Sequence, residues 1–167
     1  NKKSEDIIQI INSAISLQEN GLPEIAFKKN IIDGPIMLEV DATMISQALI
    51  NLLKNAGESI ASRMSKGEAP IVLGQIKIIV KLLDNFLKVS IVDNGSGLPE
   101  DRARLFEPYV TTRENGTGLG LAIVKKIIEE HGGTFRLEDA TQYKNSGIVG
   151  AAAIIEIPIY SVKLNKD

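Results

Sequence analysis

Residues 91–133 read "IVDNGSGLPEDRARLFEPYVTTRENGTGLGLAIVKKIIEEHGG", the end of a buried strand on one side and an amphipathic helix on the other. Two glycine clusters stand about twenty residues apart within it, separated by an irregular polar stretch. On the strand side, Leu87, Val89 and Ile91 alternate inward, and the strand delivers Asp93 at its carboxyl end, followed at once by Asn94-Gly95-Ser96-Gly97. Ligands commonly sit at such strand ends. Gly95 and Gly97 let the backbone turn tightly and lie close to a flat ligand. An ionised Asp only accepts hydrogen bonds, so it suits a ligand presenting an N–H donor, such as the exocyclic amine of adenine. An Asn-Gly turn with a capping Asp is the plainer alternative. On the helix side, Gly116, Gly118 and Gly120 precede and enter the helix, whose N-terminus carries free N–H groups that bind phosphate. The pattern is not a P-loop, because no Gly-Lys-Ser/Thr follows. Nor is it the dinucleotide fingerprint, because Leu121 or Ile123 stands where the third glycine should be. A flexible hinge is the alternative here. A loop of this length in a compact domain is usually functional or disordered.

Working outward, "GQIKIIVKLL" (74–83) and "FLKVSIVD" (86–93) flank Asp84-Asn85 and predict a hairpin. A helix is expected over about 118–131, then strands in "TFRLED" and "GAAAIIEIPI" with a polar loop between. Upstream, Ile7, Ile8, Ile11, Ala14, Ile15 and Gln18 follow the 3.6 period and predict a helix over 4–20, capped by Ser4 and stopped by Gly21 and Pro23. Extended pieces follow near 24–31 and 36–40, split by the turn signal "DGP". A helix is expected over 43–61, capped by Asp41 or Thr43, with "ASRMSKGEAP" as a loop. This order places helices on one face of a mixed sheet.

With 167 residues the chain is expected to form one domain, large enough to bury a core without staples. Hydrophobic residues make up 44% and charged residues 24%, and the net charge of −2 gives no bulk basic field for nucleic acid. The absence of cysteine removes disulfides and thiolate metal sites. No apolar run approaches a membrane span. The opening "NKKSED", with no initiator Met, is expected to be an internal start within a longer protein.

The helix around "QALINLLKNAGES" has an apolar side of Ile45, Leu49, Leu52, Leu53, Ala56 and Ile60, bordered by Gln47, Asn51 and Asn55 at four-residue spacing. Asn is a poor helix-interior residue, so two of them one turn apart are a local conflict that a site would explain. Their amide oxygens suit a hard cation such as Mg²⁺, which also takes phosphate oxygens. A solvated polar edge is the alternative.

Taken in order, the asparagine box "NLLKNA", the first glycine box "VDNGSGLP", the phenylalanine box "LFEPYVTTR" and the second glycine box "GTGLGL" resemble the ATP-binding domain of sensor histidine kinases. These belong to the wider ATPase superfamily of gyrase, Hsp90, histidine kinases and MutL. The resemblance covers nearly the whole chain, and "EPYVTTRENGTGLGLAIVKKIIEEHGG" looks most like NtrY-type nitrogen-regulation sensors. It implies an α/β (α+β) two-layer sandwich. A mixed, mainly antiparallel sheet of about five strands would carry about three helices on one face, with an ATP lid over about 95–118. The two glycine clusters would be the hinges of that lid. The implied chemistry is transfer of the γ-phosphoryl group of Mg-ATP to a histidine on a separate dimerisation domain, with a response regulator downstream. The chain would lie on the cytoplasmic side of a membrane-anchored bacterial sensor, without itself touching membrane or nucleic acid. Its acceptor and sensor domains would lie outside these residues.

The resemblance also implies roles. Asn55 would coordinate Mg²⁺, with Asn51 assisting and counted with Arg113 as catalytic. Asp93 would bind the adenine amine, with Gly95 and Gly97 allowing close approach. Gly116, Gly118, Leu119 and Gly120 would offer backbone N–H groups to phosphate, and Thr112 and Thr117 join the nucleotide-binding set. Arg113 would neutralise charge on the γ-phosphate. Phe106 and Tyr109 would anchor the lid. Two departures stand out: Glu58 occupies a position where relatives often carry a basic residue, and Ala151 one where they often carry Thr. Hydrolysing members of the superfamily usually have a Glu one turn before the metal-binding Asn, where this chain has Asn51. An ATP-hydrolysing enzyme and a nucleotide-sensing module without turnover remain the alternatives. The lone His131 ends a helix before Gly132-Gly133, where an imidazole suits the dipole and glycine the stop, so it is expected to be structural and not the phospho-acceptor.

Overall fold

The structure, a computed structural model, describes residues 1–66, 72–102, 105–107, 120–141 and 147–159. Its elements run β1 (Lys3–Asp6), α1 (Ile7–Gly21), β2 (Ala26–Ile31), β3 (Met37–Val40), α2 (Ala42–Ser65), β4 (Gln75–Leu83), β5 (Phe86–Asp93), α3 (Gly120–Glu130), β6 (Thr134–Ala140) and β7 (Gly150–Pro158). The main sheet has the order β2-β4-β5-β7-β6, with β2 parallel to β4 and every other pair antiparallel. Among the described residues, three helices and a mixed, mainly antiparallel five-stranded sheet make the expected two-layer sandwich.

Strand alternation builds the core. Ile76, Ile78 and Val80 of β4, Leu87, Val89 and Ile91 of β5, and Ile155 and Ile157 of β7 face the helices. They meet Ile7, Ile11 and Ile15 of α1, Leu49, Leu52, Leu53 and Ile60 of α2, and Val124, Ile127 and Ile128 of α3. A second, smaller cluster of Val92, Ala140, Ala152 and Ile154 lies on the other side of the sheet.

Two boundaries differ from the expected ones. The first helix begins at Ile7 and not near residue 4, because residues 3–6 pair antiparallel with β3, Ser4 opposite Glu39. Asp6, not Ser4, is the cap: its carboxylate accepts from the Ile8 amide at 3.1 Å and from the Ile36 amide at 3.0 Å. The second helix is capped by Asp41, which accepts from the Met44 amide at 3.1 Å, but it runs on to Ser65 through residues expected to be loop. The added turn carries Arg63, whose side chain binds the backbone just before β4 and just after β5. The Met44 amide, and after it the Asn1 ammonium, holds the Asp41 carboxyl below the usual carboxylate range.

α2 and α3 pack antiparallel. At one end Gly120 approaches Asn55; at the other His131 meets Asp41. His131 Nε2 accepts from the Asp41 backbone N–H at 3.0 Å, so the ring proton sits on Nδ1, which donates to the Ile127 carbonyl at 2.8 Å. The imidazole therefore ties the end of α3 to the start of α2, as a structural histidine would. Replacing it, His131→Ala, is expected to destabilise the fold by about 1–2 kcal/mol by orphaning the Asp41 amide, measured by urea denaturation.

Candidate functional site

Asp93 is the last residue of β5 and is 6% exposed. Its Oδ1 accepts from the Gly95 amide at 2.8 Å, which sets the carboxylate against the turn that follows. Gly95 has no room for a side chain, because a Cβ there would meet the Ser59 carbonyl carbon at 2.5 Å and the Ile60 nitrogen at 2.7 Å. Gly97 has φ +83°, in the left-handed region, with the Val149 carbonyl against it. The first glycine box is thus pressed between α2 and the start of β7. Ala151, flagged as a departure from the family pattern, stands directly opposite Asp93 in the β5–β7 register.

The turn is held by residues that sequence reasoning did not single out. The Ser96 amide donates to the Ser59 carbonyl at 3.1 Å and to the Ser59 hydroxyl at 3.0 Å. Asn94, 2% exposed, accepts from the Gln75 amide at 2.8 Å and donates to the Leu73 carbonyl at 2.9 Å. The Arg63 guanidinium donates to the Asn94 carbonyl at 2.6 Å and the Val72 carbonyl at 2.8 Å. The signal was present in the spacing. Asn51, Asn55, Ser59 and Arg63 recur every four residues, so one stripe of α2 carries both asparagines and both clamps of the turn. Arg63→Ala should cost about 1.5–3 kcal/mol in chemical denaturation, because two carbonyls lose a charged donor.

Asn51 and Asn55 are half-buried on α2, while Gln47 and Glu58 are exposed. Asn55 faces the N-terminus of α3: a Cβ built on Gly120 would lie 3.8 Å from its Nδ2 and 4.0 Å from its Oδ1. The fold therefore brings together Asn55, Gly120 and, one helical turn along α2, the Asp93 turn. Thr112, Arg113, Gly116, Thr117, Gly118 and Leu119, with Tyr109, lie outside the described residues. Of the stretch between the glycine boxes, Phe106 packs edge-on against Phe135, with ring centroids 5.4 Å apart, and lies 5.3 Å below the Lys125 ammonium. Arg102 pairs with Asp139 of the edge strand at 2.9 Å. These contacts fasten the start of the stretch to β6 and α3, in keeping with an anchoring role for Phe106.

No group of three or more His, Cys, Asp or Glu side chains among the described residues could hold a metal ion by itself. A hard cation at Asn55 would need oxygens from a ligand, as suits Mg²⁺, which keeps waters and is shared with phosphates. The amide oxygen of Asn55 beside a helix N-terminus fits that mode.

Comparisons with known proteins agree with this geometry. The family profile "Histidine kinase-, DNA gyrase B-, and HSP90-like ATPase" matches residues 40–160. The chain is 46% identical over 149 residues to nitrogen regulation protein NtrY of Azorhizobium caulinodans, covering 87% of this chain and 18% of that protein. It therefore spans less than a fifth of that relative's length. Among solved structures, the nucleotide-free catalytic domain of histidine kinase ThkA superposes with a TM-score of 0.76 at 30% identity, covering 95% of this chain and 96% of that one. ThkA has also been solved in complex with response regulator protein TrrA, and there the TM-score is 0.71 at 30% identity, over 97% of this chain and 43% of that one. The matched stretch takes in the asparagine helix, the Asp93 turn and the α3 N-terminus that the fold gathers, and the chain belongs to the histidine kinase-, DNA gyrase B- and HSP90-like ATPase family.

Proposed function

We propose that this chain binds Mg²⁺·ATP and transfers the γ-phosphoryl group to a histidine on a separate dimerisation domain, as the catalytic part of a sensor histidine kinase. The observation that carries the reading is the meeting of the Asn55 amide with the N-terminus of α3, one helical turn from the turn that orients Asp93. In this reading Asp93 accepts from the adenine amine, and Gly95 and Gly97 let the base lie against the turn. Gly120 at the α3 N-terminus, with Gly116, Gly118 and Leu119 ahead of it in the chain, would offer amides to the phosphates. Thr112 and Thr117 join the nucleotide-binding set. Asn55, assisted by Asn51, would hold Mg²⁺, which neutralises phosphate charge when bound. Arg113 supplies a cation to the γ-phosphate. The lone pair of the acceptor imidazole forms the new N–P bond while the bond from the γ-phosphorus to the β–γ bridging oxygen breaks, giving phosphohistidine and ADP.

The ThkA–TrrA complex supports a response regulator as the downstream partner, and the likeness to NtrY supports placement in a bacterial nitrogen-regulation sensor; anchoring of that sensor in the membrane is part of the same proposal. No described helix is itself long and apolar enough to cross a membrane. The test is labelling with γ-labelled ATP, with the chain alone and with a separately made acceptor domain. Acid-labile label is expected on the acceptor histidine only. Label on His131 of the isolated chain, or none on the acceptor, would overturn the proposal. Both ring nitrogens of His131 are engaged in hydrogen bonds, which favours label on the acceptor histidine only.

A further inference from the structure

The face of the main sheet turned away from the helices carries an unusual charge pattern. β4 presents Lys77, Ile79 and Lys81 there, since Ile76, Ile78 and Val80 point into the core. By the same alternation β5 presents Lys88 and Ser90, and β2 presents Lys28 and Asn30. Lys29, on the opposite side of β2, reaches Glu19 of α1 at 3.0 Å, which confirms which way Lys28 points. The register then sets Lys28 against Lys77 and Lys81 against Lys88.

Like charges directly opposite one another destabilise a sheet, and here two such pairs share one face. None of the four lysines is in an ion pair among the described residues. The acids of this face relieve them only in part: Glu156 of β7 stands opposite Lys88 but is bound, with Glu138, by Arg136, and no acid stands opposite Lys28, Lys77 or Lys81 in the register. All this occurs on a chain whose net charge is −2. A local conflict of this kind, only partly compensated within the sheet, marks a place where something else supplies the rest.

We infer that this face docks an acidic protein segment, with carboxylates over the Lys28–Lys77 and Lys81–Lys88 pairs and an apolar residue between them on Ile79. Lys77 and Lys81 are four residues apart along β4, about 13 Å at strand rise. An extended segment matches that with acids at i and i+4. A peptide fits better than a nucleic acid backbone, because the apolar Ile79 lies between Lys77 and Lys81 and a peptide can set an apolar side chain there between its acids. A protein segment fits better than an anionic membrane. A chain of net charge −2 has no general attraction to an anionic surface. This inference does not depend on the nucleotide-site reading.

The experiment is an NMR titration of the chain with a 13-residue peptide that carries two pairs of Glu, four positions apart around a central Leu. A peptide with Gln for Glu, phosphatidylserine vesicles and single-stranded oligonucleotide serve as the other arms. The expected result is saturable shifts at Lys77, Ile79, Lys81, Lys88 and Ser90 with the acidic peptide alone, weakening as salt is raised. The double variant Lys81→Gln/Lys88→Gln should lose about tenfold in peptide affinity and gain thermal stability, because a repulsive pair is removed, while nucleotide affinity stays unchanged. Shifts elsewhere, equal binding of the Gln peptide, tighter binding of vesicles or oligonucleotide, or unchanged peptide affinity in the double variant would overturn it.

Discussion

Phosphate release by the isolated chain, supplied with ATP and Mg²⁺, is expected to run about 10²- to 10⁴-fold below the ~10 s⁻¹ typical of enzymes. The reason lies on α2. One turn before Asn55, where a hydrolase needs a carboxylate to take a proton from water, stands the half-buried Asn51. An amide has no useful basicity near neutral pH, and Gln47, a further turn back, is exposed and no better. Glu58 lies on the far side of Asn55 in sequence, nearly one turn towards the C-terminus. Water is therefore a poor nucleophile in this site, whereas an imidazole brings its own lone pair. The measurement is steady-state phosphate release, with Asn55→Ala as the control for contaminating ATPase. Turnover near 10 s⁻¹ that disappears in the control would mean that water is activated and would favour the hydrolase reading.

The second large effect is expected at Asp93. In Asp93→Asn the new amide can keep its oxygen on the Gly95 N–H, a contact of 2.8 Å in the present turn, and so the fold should survive. Its nitrogen would then stand where the second carboxylate oxygen was and, in the proposed adenine contact, would present a donor to the adenine amine, itself a donor. Losing one charge-assisted hydrogen bond should cost about 1.5–3 kcal/mol, roughly ten- to a hundredfold in affinity for a non-hydrolysable ATP analogue by calorimetry. Affinity for the GTP analogue should rise relative to ATP, because the amide can donate to the guanine carbonyl oxygen. Unchanged ATP affinity would remove Asp93 from the adenine contact.

Most of the secondary structure was legible in the chain because its periodicities are strong. The alternation in β4 and β5 and the isoleucine stripe of α1 each bury the residues that the pattern names. The order of the four motif boxes carried the family. The boundary errors have one cause in common. Residues 3–6 became a strand because β3, more than thirty residues later, offered them a partner. The last turn of α2 is held where Arg63 finds the carbonyls of Val72 and Asn94, beside the ends of β4 and β5. Local propensity contains neither fact.

The candidate site divides in the same way. By itself the sequence determined which groups are available: a carboxylate at a strand end, asparagines on one helix stripe, and glycines where backbones must approach closely. These follow from side-chain chemistry and from the periods of strand and helix, which act over a few residues. Only the tertiary structure decided that Ser59 and Arg63 hold the Asp93 turn, that Asn55 meets the start of α3, and that His131 locks the two helices at their far end. It also decided that four lysines from three strands share one face, since register, and not spacing along the chain, sets which residues stand opposite each other.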